Sequence, residues 1–203
     1  MAKFIKRSAV VVSMTSYPAR IHCVYDAYKS ILDQDVDKSA YHCVLVLSEP
    51  EFPNRKDDLP ENLQQLIKDN DIELIWTPRN LLSHKKLMPT LAKYKKNPIL
   101  IVDDDIIREK DWLRTFIEDH EKWPNDIICG SFAYHYVNGI FKRFNNTKAA
   151  NASSFNDVPS IVFNTARPAN GYGGVLYPPD TFTRPEFFDE NLYMKLSPTS
   201  DES

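Results

Sequence analysis

Short apolar runs alternate with amphipathic stretches through the first two thirds of the chain. The runs are "SAVVVSM" at 8–14, "YHCVLVLS" at 41–48, "DIELIW" at 71–76 and "PILIV" at 98–102. The first run is continuously apolar and predicts a strand that is covered on both faces, and the other three predict further strands. After the first run, apolar residues recur at helical spacing, at Ile21, Val24, Tyr28, Ile31 and Leu32. Four such βα repeats predict a largely parallel sheet in an α/β sandwich with right-handed crossovers.

The later helices follow the same spacing. "LPENLQQLIKDN" places Pro60 near a first turn, "SHKKLMPTLAKY" predicts the next helix, and Leu113, Phe116, Ile117 and His120 mark another. Beyond Trp123 the pattern changes. "DIICGSFAYHYV" predicts short antiparallel strands, whereas the segment 144–170 is rich in Asn, Ser and Ala and predicts a surface loop or lid. "VLYPP" predicts a buried strand followed by a helix that begins at Pro178 or Pro179.

Composition narrows the class of protein. A chain of 203 residues with 42% hydrophobic and 26% charged residues can build one sizeable core, so we expect a single domain over residues 1–203. A formal net charge of -3 gives no global basic field, which argues against nucleic acid as a partner. The three cysteines are widely spaced and lie in apolar contexts. They predict free thiols in a reducing compartment.

The acidic triplet Asp103–Asp105 follows the fourth apolar run directly. In an extended chain Asp103 and Asp105 would point to one side and Asp104 to the other. Ligands bind at the carboxyl edge of open α/β sheets, and several carboxylates there repel one another unless a cation neutralises them. Oxygen ligands of this kind suit Mg²⁺ or Mn²⁺. The alternative is a solvated turn in which Asp105 caps a helix beginning near Ile106 or Lys110.

A lysine pair, Lys85 and Lys86, lies just upstream of Pro89. Two cations near a helix start conflict with the helix dipole, and an anionic ligand such as a diphosphate would remove that conflict. The alternative is that both lysines extend into water.

Glycine is scarce and clustered. Three of the five glycines, Gly171, Gly173 and Gly174, occur in "NGYGGVLYPPD". They predict either a close approach of backbone to a ligand or a structural bulge. No phosphate loop of the GxxxxGK[ST] or GxGxxG type is present.

Four segments taken together resemble one family over nearly the whole chain: "VVVSMTSYPARI", "LSEPEFP", "SHKKLMPTLAKYKKNPILIVDDDI" and "NGYGGVLYPP". The chain is similar to bacterial glycosyltransferases of the GT-A fold, which often belong to capsule or other surface-polysaccharide gene clusters. The resemblance implies a nucleotide-sugar donor, most often a UDP-sugar, and a glycan or glycolipid acceptor. It implies a divalent metal, Mn²⁺ or Mg²⁺, held by the triplet, which is similar to the DxD motif.

The resemblance also implies roles for individual residues. Asp105 would coordinate the metal, and Asp103 would contact the ribose or the metal. The residues implied at the donor are Thr15, Ser16, Arg20, Lys85, Lys86, Asp103, Asp104, Gly173 and Gly174. Residues 1–123 would form the nucleotide-binding half, and residues 124–203 the half that binds the donor sugar and the acceptor.

An acidic pair in "LSPTSDES" matches the segment that carries the base in similar proteins, so Asp201 and Glu202 are the candidates for the catalytic carboxylate. The alternative is a frayed acidic terminus. Because the sequence stops at Ser203, where a supporting helix would be expected, we expect a chain truncated at its C-terminus. The alternatives are that the base lies elsewhere or that the protein is inactive.

Two alternative functions stay open at this point. A sugar-phosphate nucleotidyltransferase shares the sheet and the acidic site, but it usually has a glycine-rich basic loop after the first strand, and "SMTSYPARI" has no glycine. The second alternative is a truncated domain that binds nucleotide or glycan without catalysing a reaction. The expected location is cytoplasmic, with at most peripheral contact with the inner face of the membrane through the basic patches "FIKR" and "FKRF".

Overall fold

The structure, a computed structural model, describes residues 9–137, 140–151 and 173–197. Its strands are β1 (Val10–Thr15), β2 (Tyr41–Ser48), β3 (Glu73–Thr77), β4 (Ile99–Val102), β5 (Asp126–Val137), β6 (Ile140–Asn151) and β7 (Val175–Tyr177). Its helices are α1 (Val24–Leu32), α2 (Glu61–Asp69), α3 (Met88–Lys93), α4 (Trp112–Lys122) and α5 (Glu190–Leu196). None of the helices in these ranges is long and apolar enough to cross a membrane.

Within the described residues, the strands form one sheet in the order β3-β2-β1-β4-β7-β5-β6. Strands β1 to β4 pair in parallel. Strand β7 then joins β4 and β5 in antiparallel pairing, and β5 and β6 form an antiparallel hairpin. This confirms the predicted α/β class, with a parallel N-terminal sheet and a smaller mixed part at the C-terminal side.

Strands β1, β2 and β4 are buried because helices cover both faces of the sheet, whereas most residues of the edge strand β3 are partly exposed. Alternate residues of β1 enter different cores: Val10, Val12 and Met14 pack with residues of α1, α2 and α4, whereas Val11 packs with Leu91 of α3. This alternation is the period of two that an extended chain imposes. Fully burying one such aliphatic side chain contributes about 1.5–3 kcal/mol, which explains the continuous apolar runs.

Three predicted elements differ from the structure. The helix predicted over 83–94 is split into a 3₁₀ turn (Leu82–Lys86) and the short α3, with Pro89 in the first turn of α3. The loop predicted over 144–170 is wrong for its first part, because β6 extends to Asn151 and pairs along β5; the rest lies outside the described residues. Backbone pairing in a long hairpin overrides the polar side-chain composition there.

The helix predicted at Pro178 or Pro179 is also wrong. The chain makes a turn after β7, and Asp180 has a positive φ of 62°. A left-handed residue cannot continue a right-handed helix. The next helical residues form a 3₁₀ turn over Pro185–Phe188, and α5 follows, with Asp189 as its N-cap.

Candidate functional site

The carboxyl ends of the parallel strands meet at one edge of the sheet, and the predicted site residues collect there. The loop after β1 carries Ser16 and Arg20, and the acidic triplet follows β4. Pairing of Ile101 with Val175 places the Gly173–Gly174 pair beside the carboxyl end of β4. The topology therefore brings these segments to one edge of the sheet.

The acidic triplet is a turn rather than an extension of β4, which ends at Val102. The alternation of an extended chain is therefore not the cause of the side-chain directions in the triplet. Asp104 accepts hydrogen bonds from Ser16 Oγ at 2.6 Å and from Arg20. The same guanidinium nitrogen of Arg20 lies 2.7 Å from a carboxylate oxygen of Asp105. Asp103 instead accepts from Lys86 Nζ at 2.8 Å.

Exposure separates the three carboxylates. The side chain of Asp104 is 7% exposed, whereas those of Asp103 and Asp105 are 22% and 42% exposed. Burial raises the pKa of Asp104, although Ser16 and Arg20 act in the opposite direction. The pKa of Arg20 is raised because Asp104 and Asp105 outweigh the effect of its partial burial. Asp104 thus fixes the turn from inside, and Asp103 and Asp105 face the open edge.

The capping alternative for Asp105 is wrong. Helix α4 begins at Trp112 and its N-cap is Asp111, while residues 106–109 have no regular structure. No helix therefore starts close enough to Asp105 for that carboxylate to cap it. The partly exposed Asp103 pairs with the ammonium of Lys86, and the exposed Asp105 pairs with the guanidinium of Arg20.

The two predicted lysines have different environments. Lys86 contacts Asp103 directly, which places its ammonium at the triplet. Lys85 is directed into an ion pair with Glu51, and its side chain is 3% exposed. The expectation that Lys85 faces a diphosphate is therefore not supported, because Glu51 already neutralises its charge. The alternative that both lysines extend into water is wrong as well, since both are buried.

Glu51 is a residue of this edge that the sequence reasoning missed. It follows β2, receives a hydrogen bond from Ser48 and holds Lys85. A signal was present, because "LSEPEFP" puts two glutamates just after a buried strand. Their partner could not be identified, because Lys85 follows 34 residues later.

Thr15 and Ser16 stabilise the edge through their own hydroxyls. Thr15 Oγ1 donates to the carbonyl of Val46 at 2.8 Å and so joins the ends of β1 and β2. Ser16 donates to the buried Asp104. Both hydroxyl protons are therefore used within the protein, and these residues support the site rather than offering donors to a ligand.

The glycine pair has a structural requirement. A Cβ on Gly173 would lie 1.3 Å from the carbonyl oxygen of Gly130, and Gly174 has a φ of 89°. The carbonyl of Gly173 accepts a hydrogen bond from the indole of Trp112 at 3.0 Å. The structure thus gives these two glycines a structural reason, although close backbone packing and a positive φ replace the predicted bulge, and both glycines border the triplet. Gly171 lies outside the described residues.

Helix α5 is anchored next to the lysine pair. His84 Nε2 donates to the carbonyl of Ser197 at 2.5 Å, and its ring packs against Tyr193 at a centroid distance of 4.9 Å. Arg79 pairs with Glu190 at 2.6 Å. The residue that follows α5, Ser197, is therefore held by His84, which directly precedes Lys85 in the sequence. The predicted base residues Asp201 and Glu202 lie outside the described residues.

The fit of a divalent metal to this edge depends on two carboxylates. Among the described residues, no group of three or more His, Cys, Asp and Glu side chains is arranged to hold a metal ion by itself. Asp103 and Asp105 nevertheless supply accessible oxygen ligands, and Mg²⁺-type sites commonly use one or two carboxylates and complete the shell with water and substrate phosphates. The donor set fits a metal that is shared with a phosphate ligand.

Comparison with solved structures gives the fold family. S. aureus TarS 1-349 matches with a TM-score of 0.57 and 15% identity, covering 96% of this chain and 52% of that one. TarS 1-349 in complex with UDP matches with a TM-score of 0.50 and 15% identity over 65% of this chain and 37% of that one. The mannosyltransferase PcManGT from Pyrobaculum calidifontis, in complex with GDP-Man and Mn²⁺, matches with a TM-score of 0.46 and 18% identity. That match covers 65% of this chain and 36% of the other. The chain thus spans about half of TarS 1-349.

The likeness to TarS 1-349 confirms the GT-A fold of the glycosyltransferases. No curated protein matches the sequence significantly. Residues 11–183 match the domain described as glycosyl transferase family 2. The chain belongs to glycosyl transferase family 2, and the predicted enzyme class, a glycosyltransferase, is confirmed.

Proposed function

We propose that this domain transfers a sugar from a nucleotide-sugar, a UDP-sugar in the first instance, to a glycan or glycolipid acceptor, with Mn²⁺ or Mg²⁺ at the acidic triplet. The observation that carries the proposal is the arrangement of the triplet. One buried carboxylate, Asp104, locks the turn, and the other two remain accessible at the ligand-binding edge.

The donor diphosphate would lie between the ammonium of Lys86 and a metal ion held by the carboxylates of this edge. Asp103 and Asp105 are the residues that would hold the metal, and Lys86 is the protein cation nearest to them after Arg20. A bound divalent ion would stabilise the negative charge on a departing nucleoside diphosphate. Lys86 and Arg20 would add to that stabilisation. Both now pair with carboxylates, and once the metal neutralises those carboxylates the two positive charges would act on the diphosphate.

UDP is the nucleotide to test first. TarS has been crystallised with UDP and shares the fold of this chain. The nucleotidyltransferase alternative is not supported by any feature of the described edge, and the family match favours sugar transfer. Transfer would release nucleoside diphosphate, whereas nucleotidyl transfer would release pyrophosphate, so product analysis distinguishes the two reactions.

The acceptor hydroxyl needs a base, and Asp201 and Glu202 are our candidates. Support comes from the anchoring of α5: His84 holds the carbonyl of Ser197, and the neighbouring Lys86 contacts Asp103. The segment that carries Asp201 and Glu202 follows directly from that anchored residue. A carboxylate in this segment would accept the proton of the acceptor hydroxyl as the new glycosidic bond forms.

The remaining finer statements are also proposals. We place the nucleotide-binding half in residues 1–123 and the sugar and acceptor half in residues 124–203. The class of acceptor, surface polysaccharide synthesis and a cytoplasmic location at the inner face of the membrane rest on the sequence resemblance alone.

The test is a calorimetric titration of UDP into the protein with and without Mn²⁺. We expect binding that requires Mn²⁺ and that weakens at least about tenfold in Asp105→Asn, because a metal ligand is lost. Asp111→Asn is the matched control: Asp111 is an exposed aspartate at the start of α4 and makes no side-chain capping bond. Binding that ignores both Mn²⁺ and Asp105 would refute the metal-dependent donor site.

A further inference from the structure

The segment that follows the triplet is held by the end of helix α1. Residues 106–111 connect the triplet to α4 without regular secondary structure. Ser30 Oγ accepts a hydrogen bond from the backbone N–H of Arg108 at 3.0 Å. The N–H of Asp35 donates to the carbonyl of Lys110 at 2.9 Å. The irregular segment that follows the proposed metal ligands in sequence is thus held by hydrogen bonds from the C-terminal end of α1 and the residues after it.

The side chain of Gln34 is the centre of this attachment. Its amide nitrogen donates to the carbonyl of Glu109 at 2.6 Å and to that of Ser30 at 2.8 Å. Its amide oxygen accepts from the backbone N–H of Leu113 at 2.8 Å, one of the groups that the first turn of α4 leaves without an intrahelical partner. Gln34 is 6% exposed. A buried amide with all these bonds made specifies one geometry for the segment.

The same segment supports the other border of the site. Trp112, next to Leu113, donates its indole N–H to the carbonyl of Gly173 and packs its ring against Phe116 and the guanidinium of Arg108. Gly173 lies beside the carboxyl end of β4, where the triplet begins. The irregular segment therefore follows Asp105 directly, and the first residue of α4 at its other end holds the carbonyl of Gly173.

We propose that Gln34 is a positioning residue of the donor site, and this rests on the proposed function. Its side-chain hydrogen bonds go to Ser30, Glu109 and Leu113, and so act on the triplet and on Gly173 only through the intervening segment. By fixing residues 106–113 it keeps Asp105 and the backbone of Gly173 in place before a ligand binds. Without it the segment would have to be ordered during binding, and that entropy cost would weaken the affinity.

The experiment compares two buried amides at opposite ends of β4. Gln34→Met removes the hydrogen bonds at the site side and keeps a side chain of similar length. Asn97→Leu removes the bond from Asn97 to the carbonyl of Ala9, at 3.0 Å, at the amino end of β4, where the amide is 9% exposed. For each we would measure the affinity for UDP with Mn²⁺ by calorimetry, the affinity for Mn²⁺ alone by electron paramagnetic resonance, and unfolding in urea.

We expect both variants to lose stability, and only Gln34→Met to bind UDP with Mn²⁺ about tenfold more weakly, as outer supports of metal ligands do. Ser30→Ala, which removes only the acceptor of the Arg108 N–H, should show a smaller loss in the same direction. If Gln34→Met does not fold, the UDP affinity of Ser30→Ala tests the proposal instead.

Three results would overturn the role of Gln34. Gln34→Met and Ser30→Ala could bind as tightly as the wild type, or Asn97→Leu could weaken binding equally. In either case the proposed function stands, because the wild type binds UDP. If the wild type binds neither UDP nor GDP in the presence of Mn²⁺, the proposed function itself fails, and the role of Gln34 fails with it.

Discussion

At the scale of single residues, adjacent aspartates have different tasks. Asp104 is buried and tied to Ser16 and Arg20, whereas Asp105 is largely accessible. We expect Asp104→Asn to lower the free energy of unfolding by about 2 kcal/mol, because a buried carboxylate that accepts charge-assisted hydrogen bonds is replaced by a neutral amide, one of whose two oxygen positions becomes a donor. Urea unfolding measures this loss.

Asp105→Asn is the matched comparison for that variant. It should leave the urea midpoint close to the wild type, because the Asp105 side chain is 42% exposed and its pair with Arg20 is screened by water. Equal destabilisation by both substitutions would contradict the division of roles within the triplet.

The two lysines form a second contrast. Lys85→Met leaves the carboxylate of Glu51 partly buried without its cation, and we expect a loss of about 3 kcal/mol of stability. Adding Glu51→Gln should recover part of the loss, because the unpaired charge disappears. Thermal unfolding of the single and double variants measures the coupling. If the double variant is less stable than Lys85→Met alone, the ion pair is not the cause.

At the scale of elements, the antiparallel part of the sheet depends on two glycines facing each other. Gly173→Ala would bring a methyl group to 1.3 Å from the carbonyl oxygen of Gly130, a backbone atom that cannot move without breaking the sheet. We expect a loss above about 4 kcal/mol, seen as a lowered melting temperature or insoluble protein. A melting temperature near that of the wild type would show that β5 and β7 are not packed this closely.

How far the sequence could predict this molecule also depends on the element. Strands β1, β2 and β4 could be predicted because burial on both faces demands continuous apolar runs. The turn at the triplet and the partners of its side chains could not, because β4 ends at Val102 and the geometry of a strand stops there. The pair of Glu51 and Lys85 depends on chain packing between segments 34 residues apart. Local patterns contain no information about such contacts.

At the scale of the whole molecule, charged groups collect at both edges of the parallel sheet. The carboxyl edge holds the triplet with its cations. Near the amino ends of β2 and β3, Glu73 accepts hydrogen bonds from His42 and Tyr94 and pairs with Lys93 of α3. This second cluster joins the sheet to α3 on the side away from the proposed site, so it contributes to stability without contacting the ligand-binding edge.

The cluster at Glu73 predicts an acid-dependent loss of stability. Burial alone would raise the pKa of Glu73, but hydrogen bonds from His42, Lys93 and Tyr94 outweigh it and lower the pKa from 4.5 to about 2. A carboxyl group with a lowered pKa in the folded state stabilises the protein above its unfolded pKa. That contribution is lost as the pH falls through the window from about 4.5 to about 2.

Glu73→Gln tests this window. Above pH 5 we expect the variant to be less stable than the wild type by on the order of 2 kcal/mol, because the neutral amide cannot pair with Lys93 in the same way. Between pH 4.5 and pH 2 the two unfolding free energies should converge, because protonation removes the charge of Glu73 in the wild type as well. Glu118→Gln, an exposed change on α4, should follow the wild-type curve at every pH. A constant difference between wild type and Glu73→Gln down to pH 2.5 would mean that the charge of Glu73 does not stabilise the fold.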